Sequence, residues 1–229
     1  MDSPELPQPI KRHVAPKYDI CCVGRSMIEM LGVLAIIAVL TTGGIAGYSK
    51  AMEMYTLNKY RDALIELFSN FLHIKDELTY KEGETTQNYP EIMEAMDMLP
   101  KEFTVIHGEQ WRNMKDKYGH NIRFYFDNKN GNNHFGILYS FSNEINSSVV
   151  CQALAETAKS FRKDVWMMYR QPMAGSGIPY FQVYGDKFCT KNVRCLRNLT
   201  VNDIKELCYF YRDKNKNEFR YVIQVVFKK

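Results

Sequence analysis

The sequence predicts an α+β protein in which one long N-terminal helix packs on an antiparallel β-sheet. Three observations support this prediction. A single apolar run occupies residues 27–48, and apolar residues at helical spacing follow it as far as Leu78. Further along, two segments of alternating polarity flank an Asn-Gly turn, which is the pattern of a β-hairpin.

The composition limits the class of protein. The chain has 229 residues, of which 45% are hydrophobic and 24% charged, and its mean hydropathy is -0.37. These values exclude a polytopic membrane protein and a disordered one. The formal net charge of +4 is too small to indicate a nucleic-acid partner, and none is expected.

The apolar run is long enough to cross a membrane once. Between Met27 and Tyr48 the only ionisable side chain before the tyrosine is Glu29. About 20 apolar residues are needed for a helix to span a bilayer, and no second run of this length follows. Residues 1–24 are polar, and lysine and arginine at positions 11, 12 and 17 favour a cytoplasmic N-terminus, although three more follow the apolar run at positions 50, 59 and 61. A secretory signal has a different order, because its cleavage site follows the apolar stretch.

The helix is expected to continue beyond the apolar run. From Ser49 to Tyr80 the chain contains no glycine or proline, and its apolar residues recur at steps of three and four. This spacing predicts one helix from Ser26 to Tyr80 that packs against the chain's own sheet. A coiled-coil dimer has the same spacing. The residues of the predicted face are Leu57, Tyr60, Leu64, Leu67, Phe71, Ile74 and Leu78.

The rest of the chain alternates short helices and strands. A loop is predicted at Lys81–Asn88, and Thr200 with Asp203 is predicted to form a capping pair at the start of the last helix. The predicted helices are Pro90–Leu99, Asn146–Phe161 and Thr200–Phe210. The predicted strands are Glu102–Ile106, Asn121–Asp127, His134–Phe141, Ile178–Tyr184 and Glu218–Phe227.

The residues around the start of the apolar run carry a family resemblance. Gly24-Arg25-Ser26-Met27-Ile28-Glu29, followed by the apolar run, resembles the N-terminus of type IV pilins and of type II secretion pseudopilins. The shared pattern is a polar leader ending in glycine, a glutamate at the fifth position after it, and a long apolar helix. Tyr48 falls where the family commonly has a tyrosine, and the turn Asp116–Gly119 resembles one found in pseudopilins.

The resemblance implies a pilin-like fold and a mode of processing. Gly24 would be the last leader residue before the cut of a prepilin peptidase, and Arg25 would become the new, N-methylated terminus. Glu29 would neutralise the terminal amine of a neighbouring subunit, because opposite charges in an apolar core are tolerated only when paired. Most relatives carry an apolar residue directly after the cut, whereas this chain has Arg25.

Glycines occupy the late part of the apolar helix. The helix-breaking proline often seen there in the family is absent, and Ala46 stands in its place. Each glycine weakens a helix by about 1 kcal/mol relative to alanine, so any melting of the helix on assembly is predicted at Gly43, Gly44 and Gly47. Gly43 and Gly47 also form a GxxxG pattern that allows close helix packing, although small residues are common in any membrane helix.

Four cysteines lie beyond the apolar run. An even number in an exported domain favours two disulfides, and the sequence alone leaves three pairings open. Bridges from a helix to the C-terminal region occur in type IVb-like pilins. That resemblance implies a Cys151–Cys208 bond, which leaves Cys189–Cys195 as a local loop. Each bond would stabilise the domain by about 2–4 kcal/mol. Cys21 and Cys22 belong to the leader.

No catalytic constellation is recognisable. The five histidines are scattered without metal-ligand spacing, and no CxxC pair is present, so neither a metal site nor a cofactor is predicted. A basic and aromatic stretch around Arg212 and Lys214 is interpreted as a solvated turn. The protein is therefore not expected to be an enzyme.

These observations lead to one expected function and two alternatives. The expected function is a structural subunit of a type IV pilus-like filament that polymerises with copies of itself or with pilin-like subunits. Before assembly it would lie in the bacterial inner membrane, in contact with lipid, with its globular domain in the periplasm. The alternatives are a pseudopilin of a secretion machine and a single-span anchored periplasmic binding or enzymatic domain. The expected organisation is a leader (1–24), an apolar helix (25–48), its amphipathic continuation (49–80) and a globular α+β domain (81–229).

Overall fold

The computed structural model describes residues 27–77, 89–108, 114–127, 134–141, 146–171, 180–209 and 221–228. The chain divides into two compact units, Met1–Ser49 and Lys50–Lys229. We call the second of these the head unit. The sites predicted at Gly24 and Arg25 lie outside the described residues, as do the predicted loop Lys81–Asn88 and the cysteines of the leader.

The first helix, α1, spans Met27–Ile74. Its residues from Tyr60 onward bury one face, because apolar side chains recur there every three or four positions. The predicted face is confirmed from Tyr60 to Ile74, and Leu57 packs against it partly buried. The helix ends at Ile74, six residues before the predicted end at Tyr80. Residues 75–77 follow it as a turn.

Among the described residues, one antiparallel sheet of seven strands forms the second layer of the head unit, and the α+β class is thereby confirmed. The C-terminal strand β7 lies in the middle of the sheet, between β4 and β5, so that Ile137 and Met168 both face Val225. The strands are β1 Phe103–Val105, β2 Met114–Asp116, β3 Asn121–Asp127, β4 His134–Phe141, β5 Val165–Gln171, β6 Phe181–Tyr184 and β7 Tyr221–Lys228. Their order across the sheet is β1-β2-β3-β4-β7-β5-β6.

Three shorter α-helices complete the described part of the head unit: α2 Tyr89–Ala95, α3 Ser147–Ser160 and α4 Val201–Leu207. The capping pair predicted for α4 is confirmed, since the Thr200 hydroxyl accepts a hydrogen bond from the Asp203 N–H and the Asp203 carboxylate accepts one from the Thr200 N–H. Short 3-10 helices lie at Asp186–Phe188 and Leu196–Asn198.

Aromatic side chains join α1 to the sheet. Phe71 of α1 lies with its ring centroid 5.0 Å from that of Phe124 and 5.8 Å from that of Phe227. Phe68, one turn earlier, meets Phe227 edge to face at 5.6 Å. Edge-to-face and tilted pairs of this kind add about 0.5–1.5 kcal/mol to the burial of apolar area. The core of the head unit is therefore centred between the second half of α1 and strands β3, β4 and β7.

Several predicted elements differ from the observed ones. The hairpin strands β3 and β4 have the predicted bounds, and β1, β6 and β7 lie within one residue of their predicted segments or inside them. The helix predicted at Pro90–Leu99 ends at Ala95, because Asp97 adopts a left-handed backbone with φ 55°. Strands β2 and β5 were not predicted. The pairing of β5 with β7 shifts register between Val165 and Met167, so its buried positions do not alternate regularly.

Candidate assembly helix and head cluster

The first half of α1 is apolar and exposed along its whole length. We call Met27–Tyr48 the apolar segment; every residue in it is exposed, with Leu34 at 59% and Val39 at 71%. Its 22 residues extend about 33 Å as a helix, close to the roughly 30 Å of a bilayer core. The described residues thus contain one helix that is long and apolar enough to serve as a single-pass membrane anchor. A signal sequence near an N-terminus has the same length and composition.

Glu29 lies in the first turn of α1 and is exposed. A carboxylate is favoured there in general, because the unpaired N–H groups of the first turn carry partial positive charge. Gly24 and Arg25, the residues with which the resemblance associates Glu29, lie outside the described residues. Glu29 therefore lies in the first turn of α1, and its pairing with the terminal amine of a neighbouring subunit stays a prediction.

The helix continues without a break through its glycines. Residues 41–47 are helical, and a methyl group added at Gly43, Gly44 or Gly47 would meet no atom within 4 Å. The hydroxyl of Thr41 donates to the Ile37 carbonyl at 2.7 Å, so this polar group is satisfied within its own helix. The segment predicted to melt on assembly is thus ordinary α-helix here, with open space around its glycine backbone. Tyr48 is 67% exposed.

The head unit contains a buried polar cluster that links α1 to the sheet. The Tyr60 hydroxyl donates to the Asp116 Oδ2 at 2.7 Å and lies 3.2 Å from the Tyr139 hydroxyl. The other carboxylate oxygen, Oδ1, accepts the backbone N–H groups of Tyr118 and His120 at 2.9 and 2.8 Å. We call Tyr60, Asp116, His120 and Tyr139 the head cluster. One carboxylate in it holds both the turn Asp116–Gly119 and the helix α1.

The electrostatics of the head cluster follow from its burial. Loss of hydration raises the pKa of Tyr60 well above its ordinary value, and the negative charges of Tyr139 and Asp116 act in the same direction. The pKa of Tyr139 is also raised well above its ordinary value, by burial and by the charge of Asp116. Burial lowers the pKa of the His120 imidazole, against the opposing influence of Asp116. At neutral pH the three rings are uncharged, which fits a structural cluster.

The four cysteines in the described part of the chain lie in two bonded pairs. Cys151 in α3 is bonded to Cys208, the residue after α4, with 5.7 Å between their Cα atoms. Cys189 is bonded to Cys195 at a Cα separation of 5.5 Å and closes a short loop beyond β6. This is the pairing that the family resemblance implies. The long-range bond fastens α4 to α3, and the short one stiffens the loop that flanks the sheet edge.

Sequence reasoning did not identify two buried polar positions of the head unit. The sequence assigns Asp116 only to a turn. Its hydrogen bond with Tyr60 joins residues that are 56 positions apart. Arg170 of β5 is 2% exposed and donates from Nη1 to the Glu206 carbonyl at 2.7 Å, near the end of α4. No local pattern signals such contacts, since each depends on which strands become neighbours.

The described residues offer few side chains that could bind a metal ion together. No group of three histidine, cysteine, aspartate or glutamate side chains lies close enough there to hold a metal ion. On the surface, the His107 Nε2 lies 3.2 Å from a carboxylate oxygen of Glu94, and the Nδ1 lies 3.9 Å from one of Glu91. These three side chains form a polar surface cluster between α2 and the residues after β1.

Comparison with known proteins adds no relative. No model of a known protein family matches the sequence, and no curated protein matches it. The resemblance to type IV pilins and pseudopilins accordingly rests on the residues quoted above, together with a fold that is consistent with a pilin-like one.

Proposed function

We propose that the chain is a structural subunit of a type IV pilus-like filament, processed after Gly24 by a prepilin peptidase and assembled through the apolar segment. The observation that carries this proposal is the apolar segment itself, exposed throughout and carrying Glu29 in its first turn. Exposed apolar area of this extent is unfavourable in water. Lipid before assembly and neighbouring copies afterwards would both cover it.

The pairing of Glu29 is the step that converts a membrane anchor into an assembly element. A lone carboxylate inside an apolar bundle is costly, and a cationic partner removes most of that cost. The new terminal amine at Arg25 of a neighbouring subunit would supply the partner. The guanidinium of Arg25 would add a second cation at the same place.

The two disulfides support a location outside the cytoplasm. Such bonds persist in oxidising compartments, and both lie in the head unit. Lysine and arginine precede the apolar segment at positions 11, 12 and 17, which favours a cytoplasmic N-terminus. We infer a single-pass protein of the bacterial inner membrane with its head unit in the periplasm.

A second candidate function, a pseudopilin of a secretion machine, is favoured by the turn Asp116–Gly119. In the head unit this turn is anchored by the Asp116 carboxylate and packs against α1 through Tyr60. Imaging of filaments sheared from cells separates the two candidates. Long surface fibres that contain this chain indicate a pilin, whereas short assemblies confined to the periplasm indicate a pseudopilin.

The N-terminus of the protein in membranes tests both candidates. Mass spectrometry of the chain from cells with active prepilin peptidase is expected to find it beginning at Arg25, and replacement of Gly24 is expected to abolish the cut. Glu29→Ala serves as the matched variant, because it should still be cut yet assemble poorly. An intact Met1 start in the wild type would reject both candidates and leave an anchored periplasmic domain.

A further inference from the structure

The two edges of the sheet in the head unit differ in charge. Strand β1 forms one edge and β6 the other, six strand spacings or about 29 Å apart. Helix α2 contacts β1, whereas the 3-10 helix Asp186–Phe188 contacts β5 beside β6. Each side of the sheet therefore has its own neighbouring segment: α2 beside β1, and the 3-10 helix beside β5.

The edge at β1 is acidic. Residues 89–108 carry four carboxylates and a single lysine, and we call Glu91, Glu94, Asp97 and Glu102 the acidic edge. Glu102 pairs with Lys59 of α1 at 3.9 Å, and Glu91 and Glu94 flank His107. Glu94 and Asp97 are exposed, and Met96 between them is 52% exposed. An exposed apolar side chain thus lies between two exposed carboxylates in the sequence.

The edge at β6 is basic. Residues 180–209 carry five lysine or arginine residues and three carboxylates, and the carboxylates are engaged within the head unit. Asp186 bonds Arg162 at 3.1 Å, Glu206 bonds Arg194 at 3.3 Å, and Asp203 caps α4. Four exposed cations remain, and we call them the basic edge: Lys187, Lys191, Arg197 and Lys205.

Exposed apolar side chains accompany the basic edge as well. Val201 is 70% exposed and Tyr209 is 66% exposed, at the two ends of α4. Apolar contacts surrounded by charged groups are the usual composition of a protein interface, in which the apolar centre contributes affinity and the charges fix the orientation. Both edges have this composition, with charges of opposite sign.

We propose that head units of neighbouring copies contact each other through these edges, the acidic edge of one copy against the basic edge of the next. This inference rests on the proposed function and names the surface by which the heads of the subunits would meet. A contact between two different surfaces of the same chain leaves one of each free at the ends. It therefore propagates, either into a closed ring or into an open helical filament. A twofold dimer built on one edge alone would bring like charges together, because that edge would then contact its own copy.

Carbodiimide cross-linking of the full chain in membranes tests the proposal. The reagent joins a carboxylate to an amine without a spacer, so it reports ion pairs in contact. An equal mixture of unlabelled and ¹⁵N-labelled chains identifies the links that join two copies. We expect mixed-label links from Glu94 or Asp97 to Lys187, Lys191 or Lys205, with at least a fivefold decrease between 0.15 and 1 M salt. Mixed-label links that all join other surfaces would overturn the proposal.

Charge exchange provides the second measurement. Glu94→Lys alone and Lys191→Glu alone should each lower at least threefold the yield of the mixed-label links from Asp97 to Lys187 or Lys205, whose reacting groups are unchanged, because like charges would then meet. A chain that carries both substitutions should regain links between the acidic and basic edges. Glu66→Lys, at an exposed position of α1, makes the same change in net charge as Glu94→Lys and should leave the yield unaltered. An equal loss in this control, or no recovery in the double variant, would contradict an edge-to-edge contact.

The outcome is distinguishable from failure of the proposed function. The N-terminus is read by mass spectrometry in the same sample. Chains that begin at Arg25 and form filaments without links between the edges would refute the edge contact alone. Chains that retain Met1 and show these links would refute processing but retain the contact between copies. Links to an unrelated protein at the basic edge, without links between copies, would replace the second copy by another acidic partner and so refute the proposal.

Discussion

At the scale of single residues, the head cluster joins parts of the chain that are distant in sequence. Tyr60 was predicted to be buried because it belongs to the apolar face of α1, and this is confirmed. The role of its hydroxyl could not be predicted, since Asp116 and Tyr139 come from strands 56 and 79 positions away. A buried carboxylate that accepts hydrogen bonds from a tyrosine hydroxyl and two backbone N–H groups is well compensated for its loss of hydration.

His120 gives the head unit a dependence on pH. Its imidazole is fully buried beside Phe141, with 5.0 Å between ring centroids, and burial lowers its pKa below the ordinary value of 6.5. The unfolded chain therefore binds a proton more readily than the folded one below pH 6.5, and stability falls as the pH decreases through that region. Denaturant unfolding at pH 7.5, 6.5 and 5.5, followed by near-ultraviolet circular dichroism, measures the effect.

The control for this prediction is His120→Leu, which replaces the imidazole by an apolar side chain of similar volume. Its free energy of unfolding should fall less between pH 7.5 and 5.5 than that of the wild type. Equal slopes in the two proteins would mean that another group dominates the titration. Asp116 faces His120 in the cluster and is unchanged in both proteins, so the difference between them isolates the imidazole.

At the scale of elements, the disulfides act on loops of very different length. The Cys151–Cys208 bond spans 57 positions and ties α4 to α3, whereas Cys189–Cys195 spans only 6. In the loop-entropy account, a disulfide stabilises the fold by lowering the entropy of the unfolded chain, and this effect grows with the logarithm of the loop length. The long bond should therefore contribute more to stability, although both keep the segments beside β6 in place.

Removal of each disulfide tests this ranking. Cys151→Ala with Cys208→Ala should lower the free energy of unfolding by about 4 kcal/mol, and Cys189→Ala with Cys195→Ala by about 2 kcal/mol. Chemical denaturation of the two double variants beside the wild type gives both values. A larger loss for the short loop would show that native packing around Cys195, rather than chain entropy, determines its contribution.

At the scale of the whole head unit, the sheet depends on the last strand of the chain. Strand β7 pairs with β4 on one side and with β5 on the other, so it connects β1–β4 to β5–β6. Its residues Ile223, Val225, Val226 and Phe227 are fully buried. The fold is therefore completed only when the C-terminal residues enter the sheet, a nonlocal step that is slow in general.

A single side chain of β7 tests this dependence. Phe227→Ala should lower the free energy of unfolding by about 3–5 kcal/mol, because it removes the ring that packs on Phe68 and Phe71 and leaves a cavity. Lys228→Ala at the next, exposed position should cost less than about 1 kcal/mol, although its ammonium lies over the Phe188 ring. Denaturant unfolding gives both values, and similar losses would contradict a core centred on β7.

The sequence by itself determined the features that depend on local order along the chain. Apolar content and its period predicted the apolar segment, the buried face of α1 and the class of fold, because both regular structures repeat over a few residues. Turn chemistry predicted the hairpin of β3 and β4, and the residues Thr200 and Asp203 predicted the start of α4. The proposed function also rests on a local pattern, which is the polar leader, Gly24 at its end and Glu29 five positions later.

The tertiary structure alone decided what depends on which distant segments become neighbours. It places β7 in the centre of the sheet, includes β5 despite its irregular pattern, and unites Tyr60 with Asp116 and Tyr139. It also places the acidic α2 beside β1 and joins α4 to β5 through Arg170, on the other side of the sheet. The physical reason is that strand pairing and buried hydrogen bonds are selected by the packing of the complete core, for which no short stretch of sequence carries a signal.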